Sequence, residues 1–251
     1  MGLHLVNLTD TFSCYTSGEL EARFIYEEIF KNNDYDVPTL PDAPCIVDAG
    51  ANIGLFSLYI KAKHPLAKIV AFEPAPETFE ALTRNLDLHH VSDVVVYPYA
   101  LGSRARTATF TYFPRAPGNS TLNGEEKRRQ IEWFEENYGG SYVGDMVRDA
   151  TQMAVPVHRL SYFLSRYHGD VGAIDLLKID VEGAELEVLG GLDDADWDKV
   201  QNVVMEVSDL QGRLDEVKRL LESKGFTVTC GVARGIPEVF NTYIVKAGRR
   251  A

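Results

Sequence analysis

Cysteine is scarce in this chain. Its three cysteines, Cys14, Cys45 and Cys230, are too widely spaced to read as a metal-ligand set or a disulfide framework. Basic charge is also short: 25 Lys and Arg against 37 Asp and Glu leave a formal net charge of −12. Such a surface repels phosphate backbones and gains nothing from counterion release, so neither nucleic acid nor anionic membrane is an expected partner. The one basic cluster, EKRRQ at Glu126 to Gln130, is short and flanked by acids, and it reads as a solvated helix face. No apolar run approaches the ~20 residues that span a bilayer. The opening MGLHLVNLTD has neither a basic n-region nor an apolar h-region, and a cytoplasmic location is the expectation.

What the chain does have is alternation. PCIVDAG reads as a buried strand, IGLFSLYIKAKH as a helix, AKIVAFEP as a strand, APETFEALTRNLDLHH as a helix and DVVVYPYAL as a third strand. The pattern resumes with AIDLLKID, a helix from Glu185, the strand VQNVVMEVS and the helix GRLDEVKRLLESKG. Strands and helices alternating at this spacing mean βαβ units and a mostly parallel sheet, an α/β fold. The two terminal strands, in FTVTCGV and EVFNTYIVKAG, are joined by too short a loop for a helical crossover and should pair antiparallel. SGELEARFIYEEIFKNN, with Leu20, Phe24, Ile25 and Ile29 at helical spacing, predicts an N-terminal helical cap within residues 1–42. Residues 114–152, rich in Gly, Pro, Asn and charge with one helix from about Gly124 to Tyr138, read as an insertion over the sheet edge. That insertion holds too few core residues to fold alone, so residues 1–251 are expected to form one unit with a lid.

VDAGANIG follows a strand and opens a helix, where free backbone N–H groups meet a ligand. It is not the dinucleotide fingerprint, because Asn52 stands where a second glycine would be. Gly50 allows a sharp turn and Gly54 a close approach of helix to strand, with Ala51 and Asn52 between them. Asp48, ahead of the loop, is unwelcome to a pyrophosphate and suits a ligand carrying an ammonium and a sulfonium. Glu73, followed by Pro74, ends the second strand about 20 residues on, where an acid can accept from both ribose hydroxyls. Ala100 and Leu101, at the end of the third strand, can cover an adenine or simply pack.

DLLKIDVEGAELEVLGG crowds Asp180, Glu182 and Glu185 at the end of a buried strand. Glu185 and Glu182 fall at a helix start, where carboxylates stabilise free N–H groups. Asp180 precedes that helix, and alternation puts it on the face of Lys178, its expected buried ion-pair partner. Candidates for a general base are Asp180, Glu206 at the end of the neighbouring strand, and His158 in VPVHRLS, for which a structural role competes. Two dispersed acids are too weak a signal to predict a metal.

Together VDAGANIGLFSLY, AFEPAPETFEALTRNL, ALGS, LLKIDVEGAELEVLGG and VVMEVSD resemble the FkbM-like S-adenosyl-L-methionine-dependent methyltransferases. FIYEEIF and GRLDEVKRLLESKGF resemble the subset found in polyketide and nonribosomal-peptide pathways. The resemblance covers residues 20–246. It implies a class I methyltransferase (Rossmann-like) fold of seven strands with the last one or two antiparallel. It implies O-methylation of a small molecule or carrier-protein-bound intermediate, with S-adenosyl-L-methionine as cofactor. It also implies that Asp48, Gly50, Asn52 and Gly54 sit beside the methionine part, Glu73 at the ribose and Leu101 at the adenine, with Glu28 and Tyr35 closing the site from the N-terminal helix. In that subset a histidine often stands where this chain has Ser208, so a base at that position is not implied here. Two other classes stay open at this point: a nicotinamide oxidoreductase, disfavoured by Asp48 and the missing glycine, and a nucleoside-binding module without catalysis.

Overall fold

The computed structural model describes residues 2–37, 40–138, 149–167, 172–236 and 240–249. The chain opens with an antiparallel hairpin, β1 (His4–Asn7) and β2 (Ser13–Thr16), and then forms α1 (Glu19–Tyr26), which runs on into a π-helical turn at Glu27–Lys31. The N-terminal segment is therefore not helical throughout, as its pattern predicted. Each hairpin strand is four residues long, and so short an alternation carries no strand signal on its own. Asn85 ties the hairpin down: its side chain accepts from Tyr15 N (2.6 Å) and donates to the carbonyls of Tyr15 (3.0 Å) and Ile53 (2.8 Å).

The predicted βαβ units follow: β3 (Cys45–Ala49), α2 (Leu55–Lys63), β4 (Lys68–Phe72), α3 (Pro76–Leu88) and β5 (Val94–Tyr97). The third strand ends sooner than its apolar run suggested. Pro98 has no N–H for a ladder, and beyond it β6 (Ala100–Leu101) leaves for a separate three-stranded sheet with β7 (Arg106–Tyr112) and β8 (Thr151–His158). Between β7 and β8 stands α4 (Gly124–Tyr138), at the predicted place; residues 139–148 of the predicted insertion lie outside the described residues.

The main sheet is completed by β9 (Leu176–Ile179), β10 (Asn202–Ser208), β11 (Phe226–Val232) and β12 (Thr242–Arg249), in the order β11-β12-β10-β9-β3-β4-β5. β12 alone reverses, pairing antiparallel with both β10 and β11, so the seven-stranded sheet follows the expected fold class. Alternation along the strands divides the core. Val47, Val70, Leu177 and Val203 pack on one side, and Ile46, Ile69, Leu176 and Val204 pack under α2 and α3 on the other. The chain builds outward from β3 to β5, then returns to lay β9 on the other side of β3. Ligands of open α/β sheets bind at such a reversal, beyond the carboxyl ends of the strands. Among the described residues no helix is long and apolar enough to cross a membrane.

Candidate functional site

A cavity of about 830 Å³ opens at this reversal, within the usual size of a small-molecule site. Its floor is the loop after β3 and the ends of β4, β9 and β10; α1, the π-helical turn, the segment 115–122 and α4 cover it. Leu20 and Phe24, whose helical spacing marked α1, are 73% and 40% exposed and line the cavity, while Ala22 and Ile29 are buried.

The glycine loop is shaped by close approach. Gly50 holds φ +82°, and any Cβ there would strike the Asp180 carbonyl; Gly54 holds φ +90° over Leu82. Asn52 takes the left-handed conformation with φ 48°, which asparagine tolerates, and its Oδ1 accepts from Ile53 N at 2.7 Å. Its own N–H donates to Glu73 Oε2 at 3.1 Å, and Ala75 N donates to Glu73 Oε1 at 2.9 Å. Glu73 is thus aimed into the cavity at the end of β4 by two backbone donors. Burial pushes its carboxyl up to about 7 against those hydrogen bonds. Gly50, Ala51, Asn52, Pro74, Ala100 and Leu101 line the same cavity.

Asp48 does not line it. Alternation along β3 turns this side chain beneath α2, where it is fully buried, accepts from Ser57 Oγ (3.0 Å) and lies 3.3 Å from Lys178 Nζ. Its charge is spent on Lys178, so it reaches a ligand only through that lysine. Gly54 likewise shapes the helix start without reaching the cavity. Lys178, as expected, is a buried ion-pair partner: it lies 3.3 Å from Asp180 Oδ2 and donates to the Gly50 carbonyl at 2.7 Å, tying the glycine loop to the acids.

Asp180 is half-buried in the cavity wall and accepts from the Tyr35 hydroxyl at 3.1 Å. Glu28, on the π-helical turn, is 6% exposed, and its Oε1 has no hydrogen-bond partner among the described residues. Burial first, and the Asp180 charge second, push the Glu28 carboxyl up to about 8. Burial and the same neighbours hold Glu206 well above the usual carboxylate range and raise the Tyr35 hydroxyl. Glu185 stands at the start of the helix Glu185–Leu189 and folds back to accept from Gly183 N at 2.6 Å, just ahead of that helix.

Two expectations fail here. His158 ends β8 outside the cavity, stacked on Tyr162 at 3.8 Å between centroids and accepting from Arg159 N, so it is not a base for chemistry in that cavity. The basic cluster on α4 is solvated only at Arg128 and Arg129. Lys127 turns inward to Glu182 Oε2 at 2.9 Å. Helical spacing could have found it, since Lys127 and Gln130 share a face with the buried Ile131 and all three line the cavity. Glu182 was legible only as a helix-start acid, and Glu21, which accepts from Gly118 N at 2.9 Å, carried no signal.

The result is a largely apolar cavity whose acids outnumber its bases: Glu19, Glu21, Glu28, Glu73, Asp180, Glu182 and Glu206 against Arg115, Lys127 and Lys178. Such a site suits a cationic ligand with neighbouring hydroxyls and opposes a pyrophosphate.

Residues 48–228 match the family model described as Methyltransferase FkbM domain. Methyltransferase sdnD of Sordaria araneosa is 46% identical over 92% of each chain. The 31-O-demethyl-FK506 methyltransferase FkbM of Streptomyces tacrolimicus is 36% identical over 83% of each. Among solved structures, methyltransferase FkbM from Methylobacillus flagellatus KT aligns with a TM-score of 0.54 at 15% identity, over 84% of this chain and 45% of that one, a likeness of fold alone.

Proposed function

The chain belongs to the FkbM methyltransferase family, and from that membership and this cavity we propose that it is an S-adenosyl-L-methionine-dependent O-methyltransferase. The acceptor in this reading is a hydroxyl of a small molecule or of a carrier-protein-bound natural-product intermediate. The observation that carries the cofactor is Glu73, an acid at the end of β4 whose two oxygens are aimed into the cavity by Asn52 N and Ala75 N. Each carboxylate oxygen keeps a further lone pair for a ribose hydroxyl.

The residues present fit the cofactor. The Gly50 turn, which a side chain would block, suits the methionine part, and Pro74, Ala100 and Leu101 offer an apolar surface for adenine. S-Adenosyl-L-methionine supplies an electrophilic methyl group on a sulfonium. The chain's own contribution is to hold Gly50 through Lys178, to favour positive charge with Asp180, and to exclude water beneath α1 and α4. Glu206 and Asp180 stand on one face of adjacent strands where an acceptor hydroxyl would arrive, and either can take its proton. The remaining wall is apolar, with Phe24, Leu122, Ile131, Ile236 and Phe240. Hydroxyl oxygen as the acceptor atom is supported by the name of the 31-O-demethyl-FK506 relative. The net charge of −12 speaks for a small molecule over nucleic acid.

Thermal melting with S-adenosylhomocysteine and with NAD tests the cofactor, and labelled methyl transfer to a panel of hydroxylated metabolites tests the reaction. Stabilisation by S-adenosylhomocysteine alone is expected. Equal stabilisation by NAD, or label found only on nitrogen or carbon, would overturn the reading.

A further inference from the structure

Three carboxylates converge where the ends of β9 and β10 meet. Asp180, Glu182 and Glu206 each offer an oxygen, and these oxygens lie within 4.8 Å of one another. The pairing explains why: Met205 sits beside Ile179, so the next residues along, Glu206 and Asp180, come side by side at the cavity floor. The local cations leave the cluster acidic. Lys178 reaches Asp180 at 3.3 Å and Lys127 engages Glu182 through Oε2, while among the described residues none donates a hydrogen bond to the Glu206 carboxylate.

A second observation comes from across the cavity. Glu28 is 6% exposed, lines the same space and leaves Oε1 without a hydrogen-bond partner among the described residues. A buried carboxylate oxygen stays unpaired at high cost unless something in the cavity satisfies it.

We propose that this cluster is a binding site for a hard divalent cation, Mg²⁺ or Mn²⁺, ligated by Asp180, Glu182 and Glu206, with Glu28 accepting from a water of its coordination shell. An all-oxygen, carboxylate-rich set selects such ions over softer metals. Two oxygens on opposite sides of one ion at ~2.1–2.4 Å can be no more than roughly 4.8 Å apart, and the three oxygens of the cluster all lie within that limit of one another. The ion keeps open positions toward the cavity. One would take the acceptor's hydroxyl oxygen; as the O–H bond breaks, the proton would pass to the uncoordinated oxygen of Glu206, and the charge left on the hydroxyl oxygen would be held by the ion. That last role rests on the O-methyltransferase reading, whereas the site itself does not. Lys127 competes for the same acids, so removing it should tighten the site.

Mn²⁺ titration of the EDTA-treated full chain, followed by electron paramagnetic resonance, tests this. One bound ion is expected, weakened more than about tenfold in Glu206→Gln, since outer-shell changes alone cost ~10–100-fold. Lys127→Met should bind Mn²⁺ more tightly than the wild type. Equal affinity in Glu206→Gln, no tightening in Lys127→Met, or no binding by the wild type overturns the site. Calorimetry with S-adenosylhomocysteine on the same samples separates the two readings. Cofactor-product binding without Mn²⁺ sinks only the ion site; Mn²⁺ binding without cofactor product supports the ion site and sinks the cofactor.

Discussion

Glu73 shows how much one residue depends on its neighbours. Its carboxylate is buried, which favours the protonated form, yet backbone donors from Asn52 and Ala75 aim both oxygens at one place. Glu73→Ala should therefore weaken S-adenosylhomocysteine binding by about 1.5–3 kcal/mol, the range for hydrogen bonds to a charged group, as read by calorimetry. Full affinity in the variant would remove the ribose assignment. The position of this acid, one strand beyond the glycine loop, was legible because both lie within one βαβ unit. Asp48 was not legible in the same way. Its type and place agreed with a ligand contact, but β3 presents it to Ser57 and Lys178, and only the packing of α2 on the sheet reveals that.

At the scale of elements, α1 and α4 lie across the cavity, and their apolar residues do different work from the strands'. Leu20 and Phe24 have helical spacing yet remain exposed at the cavity, so spacing marked a face without saying what it faces. Leu20→Ser with Phe24→Ser should raise the acceptor KM by about 3–10-fold, as expected for losing part of an apolar contact, with little change in S-adenosylhomocysteine affinity. Melting temperature should barely move, since exposed substitutions usually stay within about 0.5 kcal/mol. An unchanged KM would mean that the acceptor enters elsewhere. α4 is tied to the site by Lys127 on Glu182, Glu126 on Arg213 at 2.7 Å, and the neighbouring Thr121 hydroxyl donating to the Glu182 carbonyl at 2.6 Å. None of these partners is close in sequence.

For the whole molecule, the acidic excess acquires a pH dependence through burial. Burial pushes the carboxyls of Glu21 and Glu28 up to about 8 and those of Glu73 and Glu185 up to about 7. An unfolded glutamate releases its proton near ~4.3. Between there and about 8 the folded chain retains protons that the unfolded chain has lost, so stability falls as pH rises through this window and levels off above it. Scanning calorimetry of the ligand-free protein should find a melting temperature higher at pH 6 than at pH 8 by about 5 °C or more. Glu28→Gln should flatten the slope. A flat or rising profile in the wild type would show that these carboxyls ionise freely in the fold.

The order of strands and helices, the reversed last strand, the glycine loop and Glu73 were determined by the sequence itself, because each depends on periodicity and turn chemistry over a few tens of residues. The hairpin β1–β2 and the short strand β6 were not, since strands of two to four residues become strands only when a partner supplies the hydrogen bonds. The site divides along the same line. That acids gather after β9 is plain in the one-dimensional chain. That Asp180 and Glu182 meet Glu206, that Lys127 reaches them, that Glu28 faces them unpaired and that His158 turns away to Tyr162 were decided by strand register and burial between distant segments. Those contacts exist only once the chain has closed on itself, because the low-dielectric interior that shifts and pairs these charges is made by the fold.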